Sequence, residues 1–255
     1  RRSRGYVPEP IDLHDDGPDV LGCGADLKNT FTVTKGRFAI PGQHVGDMEN
    51  YETLQFFEES LENIKAVYRV NPIAIAHDLH PDYLSTRWAL RQIPPSPPLL
   101  KWGMGGVYGI QHHYAHIGSV MAEHGLKSKV IGVAFDGTGY GTDGNLWGGE
   151  FLVADINGFE RIGHFRYMPL PGGESAIREP WKTAVSYVVS SLEDKGKALE
   201  CLDAIGFIGK YGIDNIERII KIIDTREFSP LSSGAGRLFD AVSAIIGLCD
   251  RNTFE

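Results

Sequence analysis

The sequence predicts an α/β protein in which the same order of strands and helices starts once in each half of the chain. Residues 19–125 are predicted to form strand, strand, strand, helix, strand, helix, strand, helix, and residues 129–167 then start again with three strands. Short apolar runs bounded by turn residues are typical of strands, and apolar residues three or four positions apart are typical of helices. This alternation predicts mixed sheets covered by helices.

The first half supplies the longer run of elements. Its opening strands are predicted to form an antiparallel meander at residues 20–25, 31–34 and 37–40. Residues 1–17 are rich in breakers and are predicted to be irregular. Helices are predicted at residues 50–69, 83–91 and 112–124, with a parallel strand at residues 72–76 and a short strand at residues 107–110 between them. The proline-rich stretch at residues 94–98 is predicted to be an extended connector.

The second half opens with strands and continues with helices. Its strands are predicted at residues 129–135, 146–154 and 161–167, and the first of them is rich enough in β-branched and aromatic residues to predict a buried strand. A proline- and glycine-containing loop follows. Amphipathic spacing then predicts helices at residues 179–190, 195–205, 213–224 and 238–247.

The element order βββαβαβα is that of the ribonuclease H-like fold. Two such halves predict the two-lobed architecture of the actin, sugar kinase and heat-shock chaperone superfamily, in which nucleotide binds between the lobes. We therefore predict a linker at residues 1–18, a first ribonuclease H-like lobe at residues 19–126 and a second lobe with a helical insertion at residues 127–255.

Composition and charge narrow the classes of function. The 255 residues are 42% hydrophobic and 23% charged, which allows a sizeable core. A net charge of -8 and the lack of a long basic stripe argue against a nucleic-acid partner. Cys23, Cys201 and Cys249 are scattered, so we expect neither a disulfide framework nor a cysteine zinc site, and a reducing, cytoplasmic setting. No apolar run approaches the roughly 18 residues of a membrane span.

A histidine pair is the first candidate for function. His112 and His116 lie four positions apart at the start of a predicted helix and therefore project from one face. Two imidazole nitrogens at this spacing can hold one metal ion. A pair of this kind also arises by chance, so spacing alone leaves metal binding open.

Polar residues follow the strand predicted at residues 72–76. The carboxyl end of a parallel strand is where open α/β sheets bind ligands. Asp78, His80 and Asp82 could therefore belong to a site, or they could solvate a loop and cap the next helix. Both interpretations stay open.

A glycine-rich segment at residues 136–144 joins two strands of the second half and reads DGTGYGTDG. Its backbone N–H groups can surround an anion without obstruction by side chains. The segment is neither a Walker A loop nor a dinucleotide fingerprint, because no GK[ST] ends it and a strand follows it. Phosphate binding is the favoured interpretation, and a long hairpin or a calcium loop built from Asp136 and Asp143 are the alternatives.

Two further segments are candidates for nucleotide contact. Lys28 lies in the corresponding turn of the first half and could reach a phosphate as a point charge, or it could be an ordinary surface lysine. The sequence SSGAGR at residues 232–237 enters a predicted helix and could bind an anion or simply cap the helix. Asp240 could accept ribose hydroxyls or interact with the helix dipole.

Eight sequence blocks, in order along the whole chain, resemble the HypF family of hydrogenase maturation carbamoyltransferases. They read RRSRGYVPEPI, GADLKNTF, HVGDMENYET, HDLHPDYLSTRWA, QHHYAH, FDGTGYGTDGNLWGGE, REPWKTA and SSGAGRLFDAVSAIIG. The resemblance implies the domain that is similar to the tRNA threonylcarbamoyladenosine enzyme, with residues 1–5 as the tail of a preceding carbamoyl-adenylate-forming domain. Because the family continues past the position of residue 255, we expect a fragment with an incomplete second lobe.

The resemblance also assigns roles to residues. It implies that His112, His116 and Asp136 hold a divalent metal ion, which could be zinc, iron or magnesium, with a further ligand outside this chain. It implies that Gly236 and Asp240 lie near the ribose of ATP or carbamoyl adenylate, and that His113 is a bystander. The remaining residues implied to line the nucleotide are Gly137, Thr138, Gly139, Tyr140 and Gly149.

The implied activity is carbamoyl transfer. ATP and carbamoyl phosphate give carbamoyl adenylate upstream, and the C-terminal cysteine of the partner protein HypE attacks it. This chain then needs no nucleophile, and Cys23 is predicted to be packed rather than reactive. Two other functions suit the same fold: an ATP-dependent small-molecule kinase, which needs no histidine pair, and a non-catalytic nucleotide-binding scaffold.

Overall fold

The computed structural model of the chain describes residues 7–92, 106–192 and 194–253. The chain divides into two compact units, Arg1–Val130 with Ala154–Gly158 and Ile131–Val153 with Phe159–Glu255. Among the described residues the strands form two five-stranded sheets. The predicted tail at residues 1–5 and the proline-rich connector at residues 94–98 lie outside the described residues.

The first sheet has the strand order β1-β3-β2-β4-β5. Its strands are β1 (Ile11–Gly17), β2 (Val20–Gly22), β3 (Thr32–Pro41), β4 (Ala74–Asp78) and β5 (Gly106–Ile110). Strand β3 runs antiparallel to both of its neighbours, while β2, β4 and β5 are mutually parallel. The predicted helices of this half are confirmed as α1 (Tyr51–Tyr68), α2 (Leu84–Gln92) and α3 (His112–Glu123).

The predicted meander at residues 20–40 is wrong in its strand count. Residues 32–41 form the single strand β3, and the third antiparallel strand is β1, which comes from residues predicted to be irregular. Gly36 has a φ of 57° but lies inside β3 opposite Gly17, where the register shifts. One glycine in this conformation makes an irregularity in a continuous strand rather than a chain reversal.

The core of the first unit packs α1 and α2 against the sheet. Phe57 of α1 is fully buried, and its ring centroid lies 5.5 Å from that of Phe31 and 5.0 Å from that of Trp88. Cys23 belongs to the same core, and burial raises the pKa of its thiol to about 12. The prediction that this cysteine is packed rather than reactive is confirmed.

The second sheet has the order β6-β7-β10-β9, and β8 also pairs with β7. Its strands are β6 (Val130–Tyr140), β7 (Leu146–Asp155), β8 (Gly158–His164), β9 (Met168–Pro169) and β10 (Leu231–Ser232). The helices of this unit are α4 (Glu174–Arg178), α5 (Pro180–Leu192), α6 (Lys195–Ala204), α7 (Phe207–Tyr211), α8 (Ile213–Ile223) and α9 (Ala235–Ile245). The predicted helices are confirmed, and α4 and α7 are additional.

The helical core of the second unit holds α9 in place. Helix α8 buries an isoleucine stripe in a cluster with Val185 and Val189 of α5 and with Ala241 and Ala244 of α9. The stripe consists of Ile216, Ile219, Ile220 and Ile223. Burial of four such side chains contributes several kcal/mol in total, at about 1.5–3 kcal/mol each.

The prediction of a buried strand at residues 129–135 is confirmed as a strand, but its burial is wrong. Ile131, Val133 and Phe135 are 71%, 53% and 58% exposed. The reason is that only the face of β6 that carries Gly132 and Ala134 is covered, while the alternate residues lie on the other face.

Within the described ranges, no helix combines the length and the apolar character that a membrane crossing would require.

Candidate functional site

Helix α3 begins at the carboxyl edge of the first sheet. Strands β4 and β5 are parallel with Asp78 opposite Ile110, so the end of β4 lies beside the start of α3. Gln111 is the N-cap, and its side chain accepts a hydrogen bond from the amide of Tyr114 at 2.9 Å. This cap makes His112 the first residue of the helix.

His112 and His116 face each other across the first turn of α3. Their Nε2 atoms lie 3.1 Å apart. Two nitrogens that each lie 2.0–2.1 Å from one tetrahedral zinc ion are roughly 3.3 Å apart, so this pair fits a shared ion. The His112 side chain is 16% exposed and His116 is exposed, which leaves the pair accessible. The prediction that the two side chains project from one face of the helix is confirmed. Binding of a metal ion by them stays a prediction.

Asp78 joins this pair from the end of β4. Its Oδ2 lies 2.7 Å from His112 Nδ1, and its Oδ1 accepts a hydrogen bond from the amide of His80 at 2.8 Å. The Asp78 side chain is only 6% exposed. Asp78 therefore contacts the candidate histidine pair directly, and a ligand site at the polar tip stays a prediction.

The structure gives the rest of the polar tip other roles. Asp82 forms an exposed ion pair with Arg87 at 2.5 Å. The start of α2 is capped by Asp26, whose carboxylate accepts hydrogen bonds from the amides of Leu84 at 2.6 Å and Ser85 at 3.0 Å. The capping residue therefore comes from 58 positions upstream of Leu84, and the interpretation of Asp82 as a cap is wrong.

Two other predicted residues lie in the first unit. His113 is fully buried, and its Nδ1 lies 3.1 Å from Gln111 Nε2, so the prediction that it packs is confirmed, while its role as a bystander stays a prediction. Lys28 is exposed, and its backbone amide donates to Asp47 Oδ1 at 2.6 Å. Phosphate contact by its side chain stays a prediction.

The glycine-rich segment of the second unit is mostly strand. Strand β6 continues through Tyr140, and only residues 141–145 turn, closed by a hydrogen bond from Gly141 N to Asn145 O at 2.9 Å. The prediction of a loop from residue 136 is therefore wrong, because Thr138 and Tyr140 favour extended backbone. Asp136 belongs to this unit, and its Oδ1 accepts from the amide of Gly137 at 2.6 Å. Its place in a metal shell stays a prediction.

The start of α9 lies against β6 in close backbone contact. A Cβ atom on Gly234 would lie 2.4 Å from Gly137 O, and a Cβ atom on Gly236 would lie 2.8 Å from Gly137 Cα. Glycine at these two positions therefore allows the two backbones to approach each other closely. Helix α9 starts at Ala235, three residues earlier than predicted, and no side chain caps it through Gly234. Two segments predicted to contact nucleotide thus meet within the second unit.

Arg237 and Asp240 form a mostly buried ion pair in α9. Arg237 Nη2 lies 3.0 Å from Asp240 Oδ2, and the side chains are 11% and 15% exposed. Burial raises the pKa of Asp240 against the opposing effects of Arg237 and of a hydrogen bond from Asn252. Arg237 Nη2 also lies 3.6 Å from the Cβ position of Gly137, which places a cation beside the glycine-rich segment. Sequence reasoning gave this arginine no role of its own, although it directly follows the small residues at positions 232–236.

Glu150 is a second residue that sequence reasoning missed. It is fully buried in β7 and forms an ion pair with Arg161, with Oε2 and Nε 2.6 Å apart. Its Oε1 accepts from Ser233 Oγ at 2.6 Å and from the amides of Gly148 at 3.0 Å and Gly149 at 3.2 Å. Burial raises the pKa of Glu150, but the hydrogen bonds from Arg161 and Ser233 outweigh it, so the pKa lies below its ordinary value.

This network changes the interpretation of Gly149. Its amide already donates to Glu150, and a Cβ atom on Gly149 would lie 2.5 Å from Ser233 O. Close packing of β7 against the segment before α9 therefore accounts for the glycine. Contact between Gly149 and nucleotide stays a prediction.

The hydrogen bonds of Asp143 argue against the alternative of a calcium loop built from Asp136 and Asp143. Asp143 Oδ1 accepts from Trp147 Nε1 at 2.9 Å, and Asp143 Oδ2 accepts from Tyr167 at 2.6 Å. Burial raises the pKa of Asp143, but these hydrogen bonds and the amide of Asn145 lower it well below its usual range. Asp143 therefore stabilises the hairpin rather than a cation.

We expect the free energy of unfolding of the second unit to fall as the pH drops below about 4.5. The pKa of Glu150 is lowered from an ordinary 4.5 and that of Asp143 from 3.8. A carboxyl group with a lowered folded-state pKa contributes stability above its unfolded pKa, and this contribution is lost as the pH falls through the folded pKa. Urea unfolding of a Glu150→Gln variant should show a flatter acid dependence, whereas Glu217→Gln on α8 should match the parent chain. If the free energy of unfolding changed with pH by the same slope in all three proteins, Glu150 would not be a source of the acid dependence.

Two protein-family models match the chain. The one described as HypF Kae1-like domain matches residues 15–123, and the one described as carbamoyltransferase, Kae1-like domain, second subdomain, matches residues 132–255. The two matches follow each other along the chain and leave few residues unmatched.

Full-length relatives are much longer than this chain. Carbamoyltransferase HypF2 of Cupriavidus necator is 40% identical over 255 residues, which are 100% of this chain and 30% of the relative. Carbamoyltransferase HypF of Rhizobium leguminosarum bv. viciae is 39% identical over 250 residues, or 97% of this chain and 30% of the relative. The chain therefore spans less than a third of either relative.

A solved structure supports the same assignment. A crystal structure of full-length HypF in the phosphate- and nucleotide-bound form matches with a TM-score of 0.88 and 40% identity, over 100% of this chain and 31% of that one. The predicted α/β fold class is thereby confirmed. With consecutive family matches at residues 15–123 and 132–255, the chain belongs to the family of HypF Kae1-like domains.

Proposed function

We propose that this domain takes part in carbamoyl transfer during hydrogenase maturation, as the portion of a longer protein that binds carbamoyl adenylate and presents it to HypE. The observation that carries the proposal is the histidine pair, whose Nε2 atoms lie 3.1 Å apart, in a chain that aligns over its length with carbamoyltransferases named HypF. The longer protein would make the adenylate from ATP and carbamoyl phosphate, in the cytoplasm.

The adenylate phosphate is proposed to bind at the start of α9. Helix α9 begins there without a side-chain cap, so its first amides and its dipole favour an anion. Gly137 and Gly236 let the two backbones approach closely, and Arg237 adds a positive charge beside them. The similar full-length HypF was crystallised with phosphate and nucleotide bound, which supports a phosphate site in this family. The other proposed nucleotide contacts are Lys28, Thr138, Gly139, Tyr140, Gly149 and Asp240.

A divalent ion, zinc, iron or magnesium, is proposed to bind His112 and His116. Their neutral imidazole nitrogens are ordinary ligands for such ions, and their spacing fits a shared ion. Asp136 is carried over from the family resemblance as a further ligand. The ion would supply Lewis-acid polarisation of a carbamoyl or phosphate oxygen.

The acceptor is proposed to be the C-terminal cysteine of HypE. Its thiolate would attack the carbamoyl carbon, so that a C–S bond forms and the C–O bond to AMP breaks, with AMP leaving with the electron pair. Cys23 is unsuited to this role because it is fully buried and its thiol has a pKa of about 12. The proposed nucleophile therefore comes from the partner.

Transfer of label tests the proposed function. The longer protein that carries this domain is mixed with ATP, carbamoyl phosphate labelled in the carbamoyl carbon, and HypE. We expect label on HypE, and none when HypE lacks its C-terminal cysteine. A small-molecule kinase would instead transfer phosphate to a small acceptor, and a scaffold would bind ATP while HypE stays unlabelled. Either result would overturn the proposal.

The double variant His112→Ala with His116→Ala is expected to lose the bound metal and to lower transfer by at least about 100-fold, the lower end of what one strong electrostatic contribution provides. Metal content is measured by elemental analysis of purified protein. His124→Ala is the matched control, because this exposed histidine follows the same helix and lies outside the pair. Equal metal content in the double variant and the parent protein would rule out the site.

A further inference from the structure

We infer that Asp78 is a positioning residue that fixes the ring and the tautomer of His112, so that the Nε2 lone pair of His112 points toward His116. The inference rests on the proposed metal site and adds a residue that belongs to neither the histidine motif nor the glycine-rich segment. Asp78 lies 34 positions before His112 in the sequence, and the parallel pairing of β4 with β5 brings the two together.

The hydrogen bond between Asp78 and His112 determines where the imidazole proton lies. A carboxylate only accepts hydrogen bonds, so His112 Nδ1, 2.7 Å from Asp78 Oδ2, carries the proton. A neutral imidazole then has its lone pair on Nε2. That atom lies 3.1 Å from His116 Nε2, on the side where a shared ion would bind. Asp78 therefore selects the one tautomer of His112 that can ligate a metal through Nε2.

Asp78 is itself held in place by contacts on both sides. Its Oδ1 accepts from the amide of His80 at 2.8 Å, and its backbone carbonyl accepts from Thr86 Oγ1 at 2.9 Å. The side chain is 6% exposed and lies at the end of a paired strand. A ligand supported from a rigid element keeps its geometry better than one supported from a loop.

The contact with His80 makes asparagine at position 78 an informative substitution. The amide of His80 needs an acceptor, so the carbonyl oxygen of an asparagine would take the place of Oδ1. Its NH₂ group would then face His112 Nδ1, which would have to accept a hydrogen bond and so leave the proton on Nε2. Asp78→Asn thus conserves shape and volume but reverses the tautomer, which a purely structural role would not do.

The test compares the parent chain with Asp78→Asn and Asp78→Ala. Zinc affinity is measured by competition with a coloured chelator, and the tautomer of His112 is read from the ¹⁵N shifts of its ring in the metal-free protein. We expect zinc affinity to fall roughly 10–100-fold in both variants. We expect the Nδ1–H tautomer in the parent chain and the Nε2–H tautomer in Asp78→Asn.

Asp26→Asn is the control for loss of stability alone. Asp26 also accepts hydrogen bonds through both oxygens, from Leu84 and Ser85, and has no contact with His112 among the described hydrogen bonds. Its variant should lose stability and keep zinc affinity. Parent-like affinity and an unchanged tautomer in Asp78→Asn would overturn the inference. If the parent chain itself fails to bind zinc, the proposed metal site is wrong, and the ring shifts of the metal-free protein still decide what Asp78 does.

Discussion

Replacing Glu150 by alanine is expected to lower the free energy of unfolding of the second unit by about 3–5 kcal/mol. Glu150 is completely buried, and the Arg161 side chain is only 15% exposed. Removal of the carboxylate takes away the buried partner of Arg161, which keeps only a longer ion pair with the partly exposed Asp143 at 3.3 Å. It also leaves the Ser233 hydroxyl and two backbone amides without this acceptor. Because domains are stable by about 5–15 kcal/mol, this loss is large enough to unfold the unit partly at ambient temperature.

Urea unfolding followed by circular dichroism measures the loss. The matched control is Asp224→Ala, which removes the partner of Lys195 from an ion pair whose side chains are 58% and 70% exposed. Such a pair contributes less than about 1 kcal/mol, so the control should differ little from the parent chain. A Glu150 variant as stable as the Asp224 variant would show that the buried network does not hold β7 to the segment before α9.

Features that depend on neighbouring residues were predictable from the sequence. The facing of His112 and His116 follows from helical spacing alone, and the isoleucine stripe of α8 follows from the same rule. The strand count of the first sheet was less predictable. A lysine and a glycine at residues 35–36 are typical of a turn, yet β3 continues through them because β1 pairs along its other edge.

Features that depend on distant residues were not predictable. Glu150 finds Arg161 11 positions away and Ser233 83 positions away, and nothing in the local pattern indicates either partner. The same holds for Asp26 as the cap of α2 and for Asp78 as the support of His112. Glu150 and Asp78 are buried and Asp26 is partly buried, so each carboxylate requires partners, but the topology of the sheet decides which ones.

Gly236→Ala is expected to weaken AMP binding by at least about tenfold and to lower the free energy of unfolding by about 1–3 kcal/mol. The substitution places a Cβ atom 2.8 Å from Gly137 Cα, and a backbone atom cannot rotate away as a side chain can. The start of α9 must therefore move from β6, which widens the proposed phosphate site. Isothermal titration with AMP and urea unfolding measure the two effects.

The sign of the stability change separates close approach from ordinary helix propensity. Alanine is favoured over glycine inside a helix by roughly 0.5–1 kcal/mol. The chain should therefore become more stable when alanine replaces a helical glycine whose Cβ position is open. Gly209 in α7 is such a site, since nothing lies within 4 Å of its Cβ position. We expect Gly209→Ala to stabilise the chain and to leave AMP binding unchanged. A gain in stability in Gly236→Ala as well would mean that the contact between α9 and β6 is loose, and the phosphate site would then have to be sought away from this junction.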